Sequence, residues 1–228
     1  MNVSHSMTFW QRALRHCTLL LLAIAAASTF GAVILDRIAV IVGQHVIKIS
    51  DIQRDLHVTE FLNREPVNVS SKAKRQSAER LIDQEVIRQE LITGQYRRPP
   101  ESETSALEKQ LIQDRYEGSE ARLRRDLARY GLSNEQLQSQ LLWQLTVLHF
   151  IDQRFRPEVY VTDDEVRTYY EQHLAELRKQ HPGDSSFEAL EGQIRQLLEE
   201  EQINQKFLAW LEEARKRYHI EYKQEAFA

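Results

Sequence analysis

Three histidines in this chain are each followed, three residues on, by a carboxylate: His57 with Glu60, His149 with Asp152, and His173 with Glu176. On a helix that spacing puts both side chains on one face, where an imidazole and a carboxylate could share a metal ion or relay a proton. A metal centre needs three or four ligands to converge, and each pair supplies only two. The pairs lie in separate charged segments, so the spacing favours structural histidines, exposed or hydrogen-bonded. Asp163-Asp164-Glu165 could gather a cation, yet three carboxylates just after Thr162 are also what the positive end of a helix attracts. Phosphate cradling and the nucleophile elbow need particular glycine patterns, and Gly-x-x-x-x-Gly-Lys, Gly-x-Gly-x-x-Gly and Gly-x-Ser-x-Gly are all missing. No catalytic residue is assigned, and neither a cofactor nor a metal is expected.

The single cysteine, Cys17, belongs to a distinct opening segment. Arg12 and Arg15 precede an apolar run from Thr18 to Ala27, and small residues follow it. Charged, apolar and small-residue regions in that order predict a secretory signal peptide over residues 1–31, with Met7 as an alternative start. An uncleaved anchor is the alternative, for which the apolar run is short. Cys17 precedes the apolar run, on the wrong side of it for lipid attachment, and would leave with it. The exported chain would then hold no thiol, which removes disulfides, thiol catalysis and cysteine metal sites together.

The 228 residues are 42% apolar and 28% charged, with only 7 Gly and 5 Pro, a balance suited to a helix-rich globular protein. Residues 1–31 contain no Asp or Glu, so without them 28 basic side chains face 34 acidic ones. An exported acidic protein is a poor nucleic-acid binder, and no nucleic-acid partner is expected. The charge is uneven: residues 64–98 hold eight basic and five acidic side chains, residues 158–228 nine and sixteen. Ordinary solvated helix surface accounts for most of this, with a basic client-facing patch as the other reading.

The elements that must position any site are mainly helical. Ile38–Val42 and His45–Ile49, around Gly43-Gln44, read as a β-hairpin. A lone hairpin is barely stable in water, and His219–Lys223 alternates like a strand that could join it. Helices are expected over Ile52–Leu62, from about Ser70 to Thr93, from Glu101 to near Gly118, and from Ser119 to Tyr130. Gly131 and Ser133 then open the central helix, which is apolar on more than one face and ends at Arg156-Pro157. Val159-Tyr160-Val161 reads as an extended link, after which Thr162 caps the next helix. Beyond the loop Gln180–Ser186 runs a long last helix. Its apolar stripe steps by five between Leu198 and Ile203, which predicts a change of buried face. Trp143 and Trp210 sit on apolar helices and read as core.

Several of these stretches resemble the N-terminal chaperone module of the SurA family, periplasmic folding factors that carry parvulin-type prolyl isomerase domains. The similarity rests on Asp36–Gly43, Ile49–Ile52, Ala78–Ile87, Tyr130–Ser133, Arg154–Pro157, Val161–Val166 and Tyr169-Tyr170. The resemblance implies a mainly α fold in which an N-terminal β-hairpin pairs with a C-terminal strand around a helical body. Residues 32–180 would form the helical domain, and residues 187–228 the long helix and strand completing it. The family's isomerase domain is inserted where this chain has only the loop 180–186, and such a domain needs about 100 residues. The resemblance therefore implies an ATP-independent periplasmic chaperone for unfolded outer-membrane or secreted polypeptides, without isomerase activity. Such a protein would be a monomer or weak homodimer with no stable membrane insertion after cleavage. Phe61, Leu62, Tyr96, Tyr116 and Tyr130 lie near helix ends or breaks and are candidates for client contact, although each could equally complete the core. The alternative function is a non-catalytic interaction or structural subunit of an envelope export or assembly complex.

Overall fold

The computed structural model describes residues 36–227. The expected signal peptide, with Cys17, lies outside the described residues. Strands β1 (Ile38–Val42), β2 (His45–Lys48) and β3 (Ile220–Tyr222) frame seven helices among the described residues. These are α1 (Ile49–Asn63), α2 (Ser71–Thr93), α3 (Glu101–Tyr116), α4 (Glu120–Arg129), α5 (Asn134–Phe155), α6 (Asp163–Gln180) and α7 (Phe187–Arg215). Short 3-10 turns follow α5 at Arg156–Glu158 and β3 at Gln224–Phe227. No helix among the described residues is long and apolar enough to cross a membrane.

The protein is mainly α, with one small antiparallel sheet of order β2-β1-β3. Gly43 turns the hairpin at φ +59°, a conformation that glycine adopts without strain. The C-terminal strand does join it: Val40 faces Tyr222 and Val42 faces Ile220. Gly43 N–H donates to the His219 carbonyl at 2.9 Å and Lys223 N–H to that of Ala39 at 2.9 Å, extending the pairing at both ends. The hairpin thus gains the third strand it needs, drawn from the other end of the described chain.

Side chains cap most of the helices. Ser70, Ser119, Ser133, Thr162 and Ser186 each accept a backbone N–H of the first turn. Gln136 and Glu165 reach back to complete capping boxes at α5 and α6. Helix α1 begins one residue ahead of Ser50, because Asp51 accepts the Lys48 N–H at 3.0 Å. Residues in the left-handed region, Arg64, Glu117, Gly118 and Gly131, turn the chain after α1, α3 and α4.

The buried side chains gather in four groups. The sheet, α1 and the first half of α2 share one, which Phe227 closes from the C-terminal turn. A second joins the end of α1 to α3, α4 and the start of α5. The third is aromatic: Phe150, Phe155, Phe207 and Trp210 bring α5 against the second half of α7, with Val86 and Ile87 of α2. The fourth lies between α6 and the first half of α7. Leu190 and Ile194 belong to the fourth group and Ile203 and Leu211 to the third, so α7 changes buried face as its broken stripe predicts. Nine positions separate Ile194 from Ile203, which places them on about opposite sides of the helix.

Candidate functional site

Adjacent apolar residues on a helix cannot both face one core, and here two such pairs open a groove. On α2, Leu91 packs into the aromatic group while its neighbour Ile92 stands 69% exposed. On α5, Leu141 is buried, whereas Leu142 is exposed and Trp143 only partly covered. Between these faces lies a groove of about 1100 Å³ whose walls also take in Tyr96, Arg97, Arg98 and Thr104.

The α2–α3 loop, which helps to line the groove, is fastened to α5. Gln153 accepts the Arg97 backbone N–H at 2.9 Å and donates to the Arg97 carbonyl at 3.1 Å. The Tyr96 ring meets Phe150 edge to face at 4.9 Å, and its hydroxyl donates to Glu90 while accepting from Arg154. Burial, reinforced by Glu90, raises the Tyr96 pKa against the opposing pull of Arg154, so the phenol stays neutral. Gly94 makes room for that ring, since a Cβ there would lie 2.2 Å from it. Helix α3 is tied to α5 by His149 Nε2 on Glu103 at 2.7 Å, and by Asn134 and Gln138 donating to Glu108. The Thr104 hydroxyl in the groove wall is shielded from solvent and has no hydrogen-bond partner among the described residues.

A cation–π contact subdivides the surface. The Arg88 guanidinium lies 5.1 Å from the Trp143 ring centroid and pairs with Glu85 at 3.3 Å. Beyond it a second hollow of about 620 Å³ continues toward α1 and β2, sharing Arg88, Glu135, Ser139 and Trp143 with the first. Its lining is more charged, with Asp51, Arg54, Asp55 and Glu85. Glu85 is itself held by Gln89 at 2.6 Å and by His45 at 3.3 Å.

Of the five residues expected to meet a client, the groove contains one, Tyr96. Phe61 takes the core alternative: it is 2% exposed, packed edge to face against Tyr130 at 5.6 Å. Leu62, Tyr116 and Tyr130 pack against the same core group. Tyr116 donates to Asp126 at 2.7 Å, and burial together with that carboxylate raises its pKa. Tyr130 donates to the Glu65 carbonyl at 3.0 Å, and its own carbonyl meets His57 Nδ1 at 2.6 Å. Their position at helix breaks reflects a structural duty, since polar tips let these rings lock chain turns while their faces fill the core. Trp210 is a core residue, whereas Trp143, also read as core, forms part of the groove wall.

Each of the three histidines has a partner other than the carboxylate three residues on. His57 serves Tyr130, His149 serves Glu103 on another helix, and His173 stacks on Tyr169 at 4.0 Å. Among the described residues no three His, Cys, Asp or Glu side chains gather as metal ligands would. Asp163 pairs with Arg195 of α7 at 2.6 Å, and Glu165 closes its capping box.

What the groove offers is apolar and aromatic surface beside fixed polar groups. No protein-family model matches the chain, and no curated protein matches it.

Proposed function

We propose that the protein holds unfolded polypeptides in the groove between α2, α3 and α5, as an ATP-independent chaperone of the periplasm. The observation that carries this is the open groove itself, in which Ile92, Leu142 and Trp143 offer apolar surface and Arg97 and Arg98 offer exposed polar groups. Apolar surface outside the core is costly to leave in water and marks binding sites. Extended chains suit such a surface, because side chains can enter it while the backbone bonds to its polar groups. The resemblance to the chaperone module of the SurA family points the same way, and names outer-membrane or secreted chains as clients. The link His181–Ser186 leaves no room for a prolyl isomerase domain, so holding without isomerisation is the proposed activity.

The test is suppression of aggregation of an unfolded outer-membrane barrel protein without ATP, with a proline-peptide isomerisation assay on the same sample. Suppression near stoichiometric amounts with no isomerisation supports the reading; absence of suppression refutes it.

A second reading, a non-catalytic subunit of an envelope assembly, is favoured by a different surface. Leu197 and Leu208 lie about three turns apart on one face of α7 and are both roughly half exposed. A stable stoichiometric complex at all concentrations would favour it over the chaperone.

A further inference from the structure

Charged groups of both signs line the groove, and they differ in how they are paired. Three guanidinium groups line it: Arg88, Arg97 and Arg98. Arg88 is engaged by Glu85 and Trp143, whereas Arg97 and Arg98 are exposed and make no ion pair among the described residues. Three carboxylates line it too, in different settings. Glu108 accepts from Asn134 and Gln138, and Glu101 and Glu135 sit in the first turns of α3 and α5, where the helix dipole favours negative charge. Gln153 clamps the Arg97 backbone, so the chain that carries the two neighbouring cations is held to α5, and Ile92 lines the same groove.

We propose that the groove selects extended polypeptide segments in which carboxylate side chains flank an apolar one: the apolar group lies against Ile92, Leu142 and Trp143, and the carboxylates pair with Arg97 and Arg98. This rests on the groove being a polypeptide site. The guanidinium fork matches a carboxylate in two hydrogen bonds, so the pairing orients the segment as well as attracting it. The two arginines belong to residues 64–98, where eight basic side chains outnumber five acidic ones, so this part of an otherwise acidic chain attracts acidic segments.

The experiment measures fluorescence anisotropy of two labelled peptides on the purified protein. One has a central Leu-Trp pair flanked by Asp, and the other replaces each Asp by Asn. The acidic peptide is expected to bind about five- to tenfold more tightly at low salt, the scale of two exposed ion pairs. That advantage is expected to shrink at high salt. The double variant Arg97→Gln, Arg98→Gln is expected to bind both peptides alike, with the thermal midpoint preserved. Equal binding of both peptides by the parent, or an acidic preference that survives in the double variant, overturns the charge selection while leaving the groove as a polypeptide site. Failure of both peptides to bind overturns the groove reading and the selection with it.

Discussion

The hydroxyl of Tyr222, on the last strand, donates a 2.6 Å hydrogen bond to Glu79 in the middle of α2. Arg215, at the end of α7, closes on the same carboxylate at 2.6 Å and on Asp83 at 2.6 Å. Strand, second helix and last helix are therefore joined at one acidic turn of α2. Burial pulls the Glu79 carboxyl upward, but its bonds from Tyr222 and Arg215 outweigh that and hold it below the ordinary range. Asp83 goes the other way: burial raises it more than Arg215 lowers it.

Tyr222→Phe tests this junction by pH. Burial and the Glu79 bond push the Tyr222 phenol up to about 12, from an ordinary value of 10.0. A pKa raised by folding gives stability that is present in full below pH 10 and is lost as the pH climbs toward 12. The parent should therefore lose stability over that alkaline window, and Tyr222→Phe should lose less. At neutral pH the variant should be less stable by about 1 kcal/mol, the net worth of one hydrogen bond. Denaturant titrations at neutral and alkaline pH measure both effects.

The C-terminal turn is expected to be indispensable. Phe227 is buried against the sheet and α2, with Arg75 5.0 Å above its ring. Phe227→Ala should cost about 3 kcal/mol. Removal of residues 219–228 strips the hairpin of its partner as well, and should abolish cooperative thermal unfolding as followed by circular dichroism. An unchanged melting curve after truncation would contradict the three-stranded sheet.

Two glycines should respond to alanine with opposite signs. Gly131 sits at φ +67° with the His57 ring 3.7 Å from where a Cβ would be, so Gly131→Ala should destabilise by about 1–2 kcal/mol. Gly192 lies within α7 with nothing within 4 Å of an added Cβ, and Gly192→Ala should stabilise by about 0.5–1 kcal/mol. Paired urea unfolding curves would show the split.

Ile92→Ser separates function from folding. The side chain is largely exposed, so the substitution should leave stability within about 0.5 kcal/mol. Aggregation suppression should nevertheless weaken, because the groove loses its apolar lip. Full suppression by this variant and by Leu142→Ser would place client binding elsewhere on the protein.

Much of the architecture was legible in the residues alone. The capping residues Ser70, Ser133, Thr162 and Ser186 act within a few positions of themselves, and Pro157 and the glycines end elements by local backbone geometry. Likewise, the alternation at His219–Lys223 and an incomplete hairpin pointed to each other, and Ile220–Tyr222 does pair with β1, because unpaired strands have few other partners in so helical a chain. Even the change of face on α7 follows from counting positions along one helix.

Which surfaces meet across the molecule is not a local matter. Phe61 and Tyr96 both stand near helix breaks, yet one fills the core and the other lines the groove, because different helices pack over them. Trp143 is apolar in sequence, but α2 and α5 both line the groove, and the ring becomes a wall topped by Arg88. The bare residues determined the helices, their ends and the strand that completes the sheet, since those depend on spacing and backbone preference. Only the tertiary structure decided which apolar residues stayed open and which arginines stayed unpaired, since exposure and pairing depend on neighbours far apart in the chain.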